Sequence, residues 1–293
     1  MLKLKGCYTA VVTPMKKNRV DFESFEKIIK FQAASRVSGI VPCGSTGEGG
    51  VLKDEDYLEV IRKTVEIAKE KKSVIAGFGT NSTEKTLSML KKVEKTGVDG
   101  LLALVPYYNK PTQRGMVAHF SAIAQNTRLP VILYNIPGRT GVNMLPATVL
   151  ELRKRHANIV GVKEASGNLD QVSEIINLLD EGFTVLSGDD GLTLPMMSVG
   201  ARGVISVASN VAPDEISSMC EHFLNGDIVA AAKLHHKYFN FIKALFVETN
   251  PIPVKYAMHL KGYCSPELKL PLTELTEKSA EKLRSEMKNC GLL

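Results

Sequence analysis

Asn158-Ile159-Val160-Gly161-Val162-Lys163-Glu164-Ala165-Ser166-Gly167 begins as a short apolar, β-branched run and ends on two charges and a glycine. Such a run makes a strand buried on both faces, as in a parallel sheet covered by helices. A lysine at the end of that strand has two readings. It is a solvated charge where strand meets loop, or an amine that has lost its hydration and serves as a nucleophile. The stretch alone does not separate them, and the rest of the chain must.

Moving outward, the same alternation recurs along the first three quarters of the sequence. Apolar strand-like runs fall at 7–12, 39–43, 73–77, 100–105, 130–134, the quoted stretch, 184–187 and 203–207. Helical spacing follows each of them: Phe22, Phe25, Ile28 and Ile29 behind a capping Asp21, then Leu58, Ile61, Val65 and Ala68, then Leu87, Leu90 and Val93 behind Ser82 or Thr83. Further helices are expected at 115–127, 147–156, 169–179 and 192–199. Eight strands each followed by a helix predict an α/β protein, a (β/α)8 TIM barrel, rather than a doubly wound sheet. No GxGxxG follows the first strand, so a dinucleotide fold is not supported. After about Pro213 the strands stop, and helices are expected at 216–223, 227–246, 253–260 and 277–288. The expected organisation is a catalytic barrel over 1–226 and a C-terminal helical region over 227–293 packed on it. Pro251 and Pro253 set a bend within that region.

Composition narrows the class. The 293 residues carry 44% hydrophobic and 23% charged side chains, ordinary values for a globular enzyme, and a mild formal charge of +6. Lysines and arginines are scattered rather than clustered, so nucleic acid is not an expected partner. No apolar run approaches a membrane span, and the N-terminus lacks the apolar core of a signal peptide. Five separated cysteines, Cys7, Cys43, Cys220, Cys264 and Cys290, show no metal-ligand spacing. They read as reduced thiols of a cytoplasmic protein.

Chemistry in a (β/α)8 barrel sits at the C-terminal ends of the strands. There the sequence delivers Ser45 and Thr46 after the second strand, Tyr107 and Tyr108 after the fourth, and Tyr134 with Arg139 after the fifth. Lys163 ends the sixth, Ser187-Gly188-Asp189-Asp190 the seventh, and Ile205-Ser206 the eighth. Each has a bland reading. Tyr134 serves as a core aromatic, Ser45 and Thr46 as turn or capping residues, Arg139 as a loop charge, and Asp189 and Asp190 as helix caps. The run Gly44–Gly50 suits an anion but lacks the GK[ST] ending of a phosphate loop. His235-His236 lies mid-helix and reads as surface or interface rather than a metal site. Together these groups are complementary. An amine attacks a ketone to give an imine, a phenol linked to hydroxyls shuttles protons, and hydroxyls with backbone N–H groups seat a carboxylate. An arginine grips a second carboxylate, and no metal or other cofactor is required.

These residues also carry a resemblance that runs essentially end to end. Gly44-Ser45-Thr46-Gly47-Glu48, Pro106-Tyr107-Tyr108-Asn109-Lys110-Pro111, Tyr134-Asn135-Ile136-Pro137-Gly138-Arg139-Thr140-Gly141, Gly161-Val162-Lys163-Glu164-Ala165-Ser166-Gly167, Leu186-Ser187-Gly188-Asp189-Asp190, Gly203-Val204-Ile205-Ser206 and Asn250-Pro251-Ile252-Pro253-Val254-Lys255 occur in this order. The chain thereby resembles the dihydrodipicolinate synthase family of pyruvate-dependent class I aldolases, a superfamily that includes N-acetylneuraminate lyase. The resemblance implies a Schiff base between Lys163 and pyruvate, with Tyr134 as proton donor and acceptor. It links Tyr134 in a relay to Ser45 and to Tyr108, the latter reaching across from a neighbouring subunit. Thr46 and the backbone at Ile205 are implied to hold the pyruvate carboxylate, and Arg139 the carboxylate of L-aspartate 4-semialdehyde. A homotetramer built as a dimer of dimers is implied, acting in diaminopimelate and lysine biosynthesis.

Two departures bear on that expectation. The family motif has threonine where this chain has Ser45, so the hydroxyl survives without the methyl that restricts its rotamer. Serine there is common in the sugar-acid lyases, the alternative activity, whereas Arg139 and Asn109-Lys110-Pro111 fit the synthases. Lysine-inhibited bacterial members carry a small polar pair after the Gly-rich motif, then histidines, and a glutamate on the following helix. Here those places hold Gly49-Gly50, Asp54, Tyr57 and Lys85, although Asn81 and Tyr107 remain. Lys85 repels the α-ammonium of lysine, so weak or absent inhibition is expected.

Overall fold

Five consecutive buried residues make up the first strand, β1 (Gly6–Ala10), as a strand covered on both faces requires. In the computed structural model, which describes residues 2–293, seven more parallel strands follow it: β2 (Gly39–Val41), β3 (Ser73–Phe78), β4 (Gly100–Leu104), β5 (Val131–Asn135), β6 (Ile159–Glu164), β7 (Thr184–Ser187) and β8 (Gly203–Ser206). Each pairs with its neighbours in sequence, and β8 closes on β1, giving the expected (β/α)8 barrel. The strands begin and end within two residues of the expected positions.

The outer layer is α1 (Phe22–Ala34), α2 (Asp54–Ala68), α3 (Thr83–Glu94), α4 (Gln113–Gln125), α5 (Pro146–Arg155), α6 (Leu169–Leu178), α7 (Thr193–Ser198) and α8 (Pro213–Leu224). Asp21 caps α1 through the N–H of Ser24 and Ser82 caps α3 through that of Lys85, so both expected caps form. Apolar side chains of strands and helices fill the space between the two layers. Inside the barrel a separate cluster holds Tyr8, Val41, Ile75, Leu102, Ile132, Tyr134, Leu186 and Ile205. The interior is therefore packed, with chemistry confined to its upper end.

Two small elements were not expected from the sequence. A hairpin pairs Met15–Lys16 with Arg19–Val20, and Pro137–Thr140 forms a single helical turn carrying Arg139. Both turn residues of the hairpin, Lys17 and Asn18, have positive φ, and Glu267 accepts the Lys17 N–H from the far end of the chain. Lysine is not a turn signal, and the acceptor that holds it is remote.

Strand register decides what faces the interior. Val131 pairs with Ile159, but the next residue, Ile132, pairs with Gly161, so Val160 is an extra residue in β6. Counted regularly from Ile159, Tyr134 would stand beside Val162, and Lys163 would point into the helix layer. The bulge takes up one residue and sets Tyr134 beside Lys163, both facing inward.

Beyond residue 227 the chain is helical: α9 (Ile228–Ala244), α10 (Ile252–Leu260) and α11 (Glu277–Asn289). Helix α9 packs on α8, and α11 packs on both α9 and α10. Residues before and after α10 cross the top of the barrel beside the β2–α2 loop. Among the described residues no helix is long and apolar enough to cross a membrane.

Candidate active site

Strands β5 and β6 each end on a polar pair, and alternation sends one member inward and one outward. Inward go Tyr134 and Lys163, with the lysine Nζ 4.2 Å from the centroid of the phenol ring. Lys163 is 5% exposed and Tyr134 6%, so the solvated strand-end reading of the lysine fails. Outward go Asn135 and Glu164, also partners in register. The buried Glu164 carboxylate accepts from Asn135 Nδ2 at 3.0 Å, Gln171 Nε2 at 3.1 Å and the Ser166 N–H at 2.7 Å. This set of bonds ties the two strand ends together behind Tyr134 and Lys163. On the other side, a Cβ at Gly188 would stand 3.1 Å from Lys163 Cε and 2.6 Å from Ala165 Cβ, so any larger residue crowds the lysine.

A cavity of about 560 Å³ opens at this end of the barrel, lined by Ser45, Glu48, Tyr107, Tyr134, Arg139 and Asn250 among others. One wall is the β2–α2 loop, which folds back so closely that a Cβ on Gly49 would lie 2.0 Å from the Cys43 carbonyl oxygen. Thr46, 3% exposed, accepts a hydrogen bond from Asn250 Nδ2 at 3.0 Å. Arg139 stands exposed at the rim and donates from Nη2 to the Asn250 carbonyl oxygen at 2.9 Å. Glu48 has a left-handed backbone and forms an ion pair with Lys255 at 2.5 Å, both side chains fully enclosed. Burial draws Lys255 below the ordinary lysine range, and the Glu48 carboxylate pulls the other way.

Of the residues expected at the site, Lys163, Tyr134, Ser45, Thr46 and Arg139 converge on this end of the barrel, and Ile205 stands in its inner wall. Tyr108 does not join them within one chain. It is 87% exposed, with a left-handed backbone, and only its neighbour Tyr107 lines the cavity. Asp189 caps the turn after β7 as expected, accepting from the N–H groups of Gly191 and Leu192. Asp190 is a correction. Instead of capping its own helix it is buried, bonded to the Ser206 hydroxyl and to the Val207 and Ala208 N–H groups, and burial raises its carboxyl above the usual range. Of the His235-His236 pair, expected at a surface or interface, His235 is buried against Phe239 within the chain and His236 is exposed. Among the described residues no three of His, Cys, Asp and Glu gather as metal ligands do.

Asn250, Gly188 and the Glu48–Lys255 pair received no role from the sequence. Each acts through a neighbour distant in the chain, and the only local signal at Asn250 was the bend marked by Pro251.

With that geometry in place, the likeness to known proteins is specific. Residues 3–290 match the dihydrodipicolinate synthetase family. The 4-hydroxy-tetrahydrodipicolinate synthase of Endomicrobium trichonymphae is 49% identical over 288 residues, 98% of this chain and 99% of that one. The crystal structure of dihydrodipicolinate synthase from Aquifex aeolicus superposes with a TM-score of 0.97 at 44% identity, covering 99% of each chain. A monomeric dihydrodipicolinate synthase variant superposes equally well, at 43% identity over 99% of this chain and 97% of the other. Sequence and barrel agree: the chain belongs to the dihydrodipicolinate synthetase family.

Proposed function

We propose that the chain has the activity its relatives bear in their names, 4-hydroxy-tetrahydrodipicolinate synthase, condensing pyruvate with L-aspartate 4-semialdehyde. The observation that carries the assignment of roles is the side-by-side placement of Tyr134 and Lys163 inside the upper barrel. The Lys163 amine adds to the pyruvate carbonyl, and loss of water leaves a cationic imine. That cation draws electrons from the methyl carbon, which gives up a proton and becomes an enamine. The enamine carbon attacks the aldehyde, and the new alkoxide takes a proton. Attack of the aspartate-derived amine on the imine carbon then closes a six-membered ring and releases Lys163. Tyr134 is the group placed to move these protons, relayed by Ser45. Thr46 and the backbone at Ile205 hold the carboxylate of pyruvate, and Arg139 holds that of the aldehyde.

The exposure of Tyr108 supports the further reading that it completes the relay in a neighbouring subunit, in a homotetramer built as a dimer of dimers. Full turnover by a species of monomer mass in solution would overturn that part. Five buried free thiols fit the cytoplasm.

Borohydride added with pyruvate is expected to raise the protein mass by one reduced pyruvyl group on Lys163, and Lys163→Ala to abolish it. Absence of an adduct on the unaltered chain would sink this assignment. Ser45 is the residue that favours the alternative, cleavage of neuraminate or another 2-keto-3-deoxy sugar acid. Turnover of those acids in preference to pyruvate with aspartate semialdehyde would decide for it.

A further inference from the structure

We propose that Asn250, supplied by the C-terminal region, is a positioning residue that sets the direction of the Thr46 hydroxyl and braces Arg139, so that one turn of chain aligns both carboxylate seats. The inference rests on the site roles given above.

Asn250 is 6% exposed and lies at the cavity wall. Its side-chain N–H donates to Thr46 Oγ1 at 3.0 Å. A hydroxyl has one proton to give and two lone pairs to receive with, and an amide N–H only donates. Receiving from Asn250 therefore leaves the Thr46 proton free for an acceptor in the cavity, and a carboxylate oxygen is the acceptor that makes such a bond strongest. Were the direction reversed, Thr46 would spend its proton on Asn250 and offer a carboxylate only lone pairs. Asn250 Oδ1 is buried and meets no protein donor, so Thr46 is the one side-chain partner of this amide among the described residues.

The backbone of the same residue serves the second seat. Its carbonyl oxygen takes one N–H of Arg139 at 2.9 Å, which stops the guanidinium from swinging away and leaves the remaining donors for a ligand. Five residues on, Lys255 grips Glu48, two residues beyond Thr46. The segment thus holds the β2–α2 loop at two points and the arginine at a third.

The two links separate experimentally, because a side-chain substitution removes the bond to Thr46 and leaves the carbonyl that braces Arg139. In Asn250→Ala the KM for pyruvate is expected to rise about tenfold to a hundredfold, the loss of one hydrogen bond to a charged group, while the KM for the aldehyde changes little. Asn250→Asp, nearly the same shape, is expected to do worse, because its carboxylate accepts the Thr46 proton and repels the substrate's. Thr46→Val should match Asn250→Ala, and combining the two should add almost nothing. Melting temperatures confirm that each variant is folded, and Thr46→Val with Asn250→Asp decide the matter where Asn250→Ala does not fold. Equal rises in both KM values, additive effects, or an Asn250→Asp variant with unaltered pyruvate KM would overturn the proposal. Borohydride trapping on the unaltered chain keeps that failure distinct from failure of the site assignment.

Discussion

Two lysines in this chain are withdrawn from solvent, and their surroundings assign them opposite tasks. Lys255 is locked to Glu48 and donates to the Glu267 carbonyl, so its ammonium is held in place. Lys163 has no carboxylate in ion-pair range among the described residues and lies against a phenol ring instead. No carboxylate clamps its nitrogen in place, which leaves that nitrogen able to reach a ligand. In the proposed mechanism Tyr134 is the complementary half. Tyr134→Phe keeps the ring beside the lysine and removes the proton carrier, so kcat is expected to fall about 10²- to 10⁴-fold, the usual worth of a positioned acid–base group. Trapping with borohydride should still label Lys163 in that variant, measured by intact mass. Both residues were legible as strand ends in the sequence. Which face they took was not, because that depends on the extra Val160 and on pairing with another strand.

At the scale of elements, the alternation of strand and helix was plain, since apolar runs and caps are local signals. The clasp over the barrel was not. Thr46 and Asn250 are 204 residues apart, and no local periodicity reports a contact of that separation. The clasp's strength lies in the Glu48–Lys255 pair, where removing one partner strands the other charge in a dry interior. Lys255→Met is expected to cost about 3–5 kcal/mol of stability, read from denaturant unfolding. Adding Glu48→Gln should return part of that loss by removing the stranded carboxylate.

For the whole molecule, the cavity reaches from Ser45 and Tyr134 out to Asp54, Tyr57 and Lys85, all of which line one space. Lys85 is exposed at its edge, where its charge opposes another ammonium. Millimolar lysine is expected to leave the initial rate of condensation essentially unaltered, and strong inhibition in a steady-state assay would refute this. Tyr108 is exposed and does not line the cavity of its own chain, and the sequence offered no interface pattern to pair it with.

The extra residue in β6 also says where this barrel tolerates change. A strand is a two-beat rhythm, and Val160 is an added beat placed at the foot, before the residues that face the upper barrel. Where Gly161 keeps its pairing with Ile132, a residue gained or lost below it leaves Lys163 beside Tyr134. One residue added above Gly161 reverses the beat at the top, sending the amine into the helix layer and turning its neighbour toward the cavity. The barrel would close as before and the catalyst would be gone. The bulge thus places the change of register below the residues that face the upper barrel.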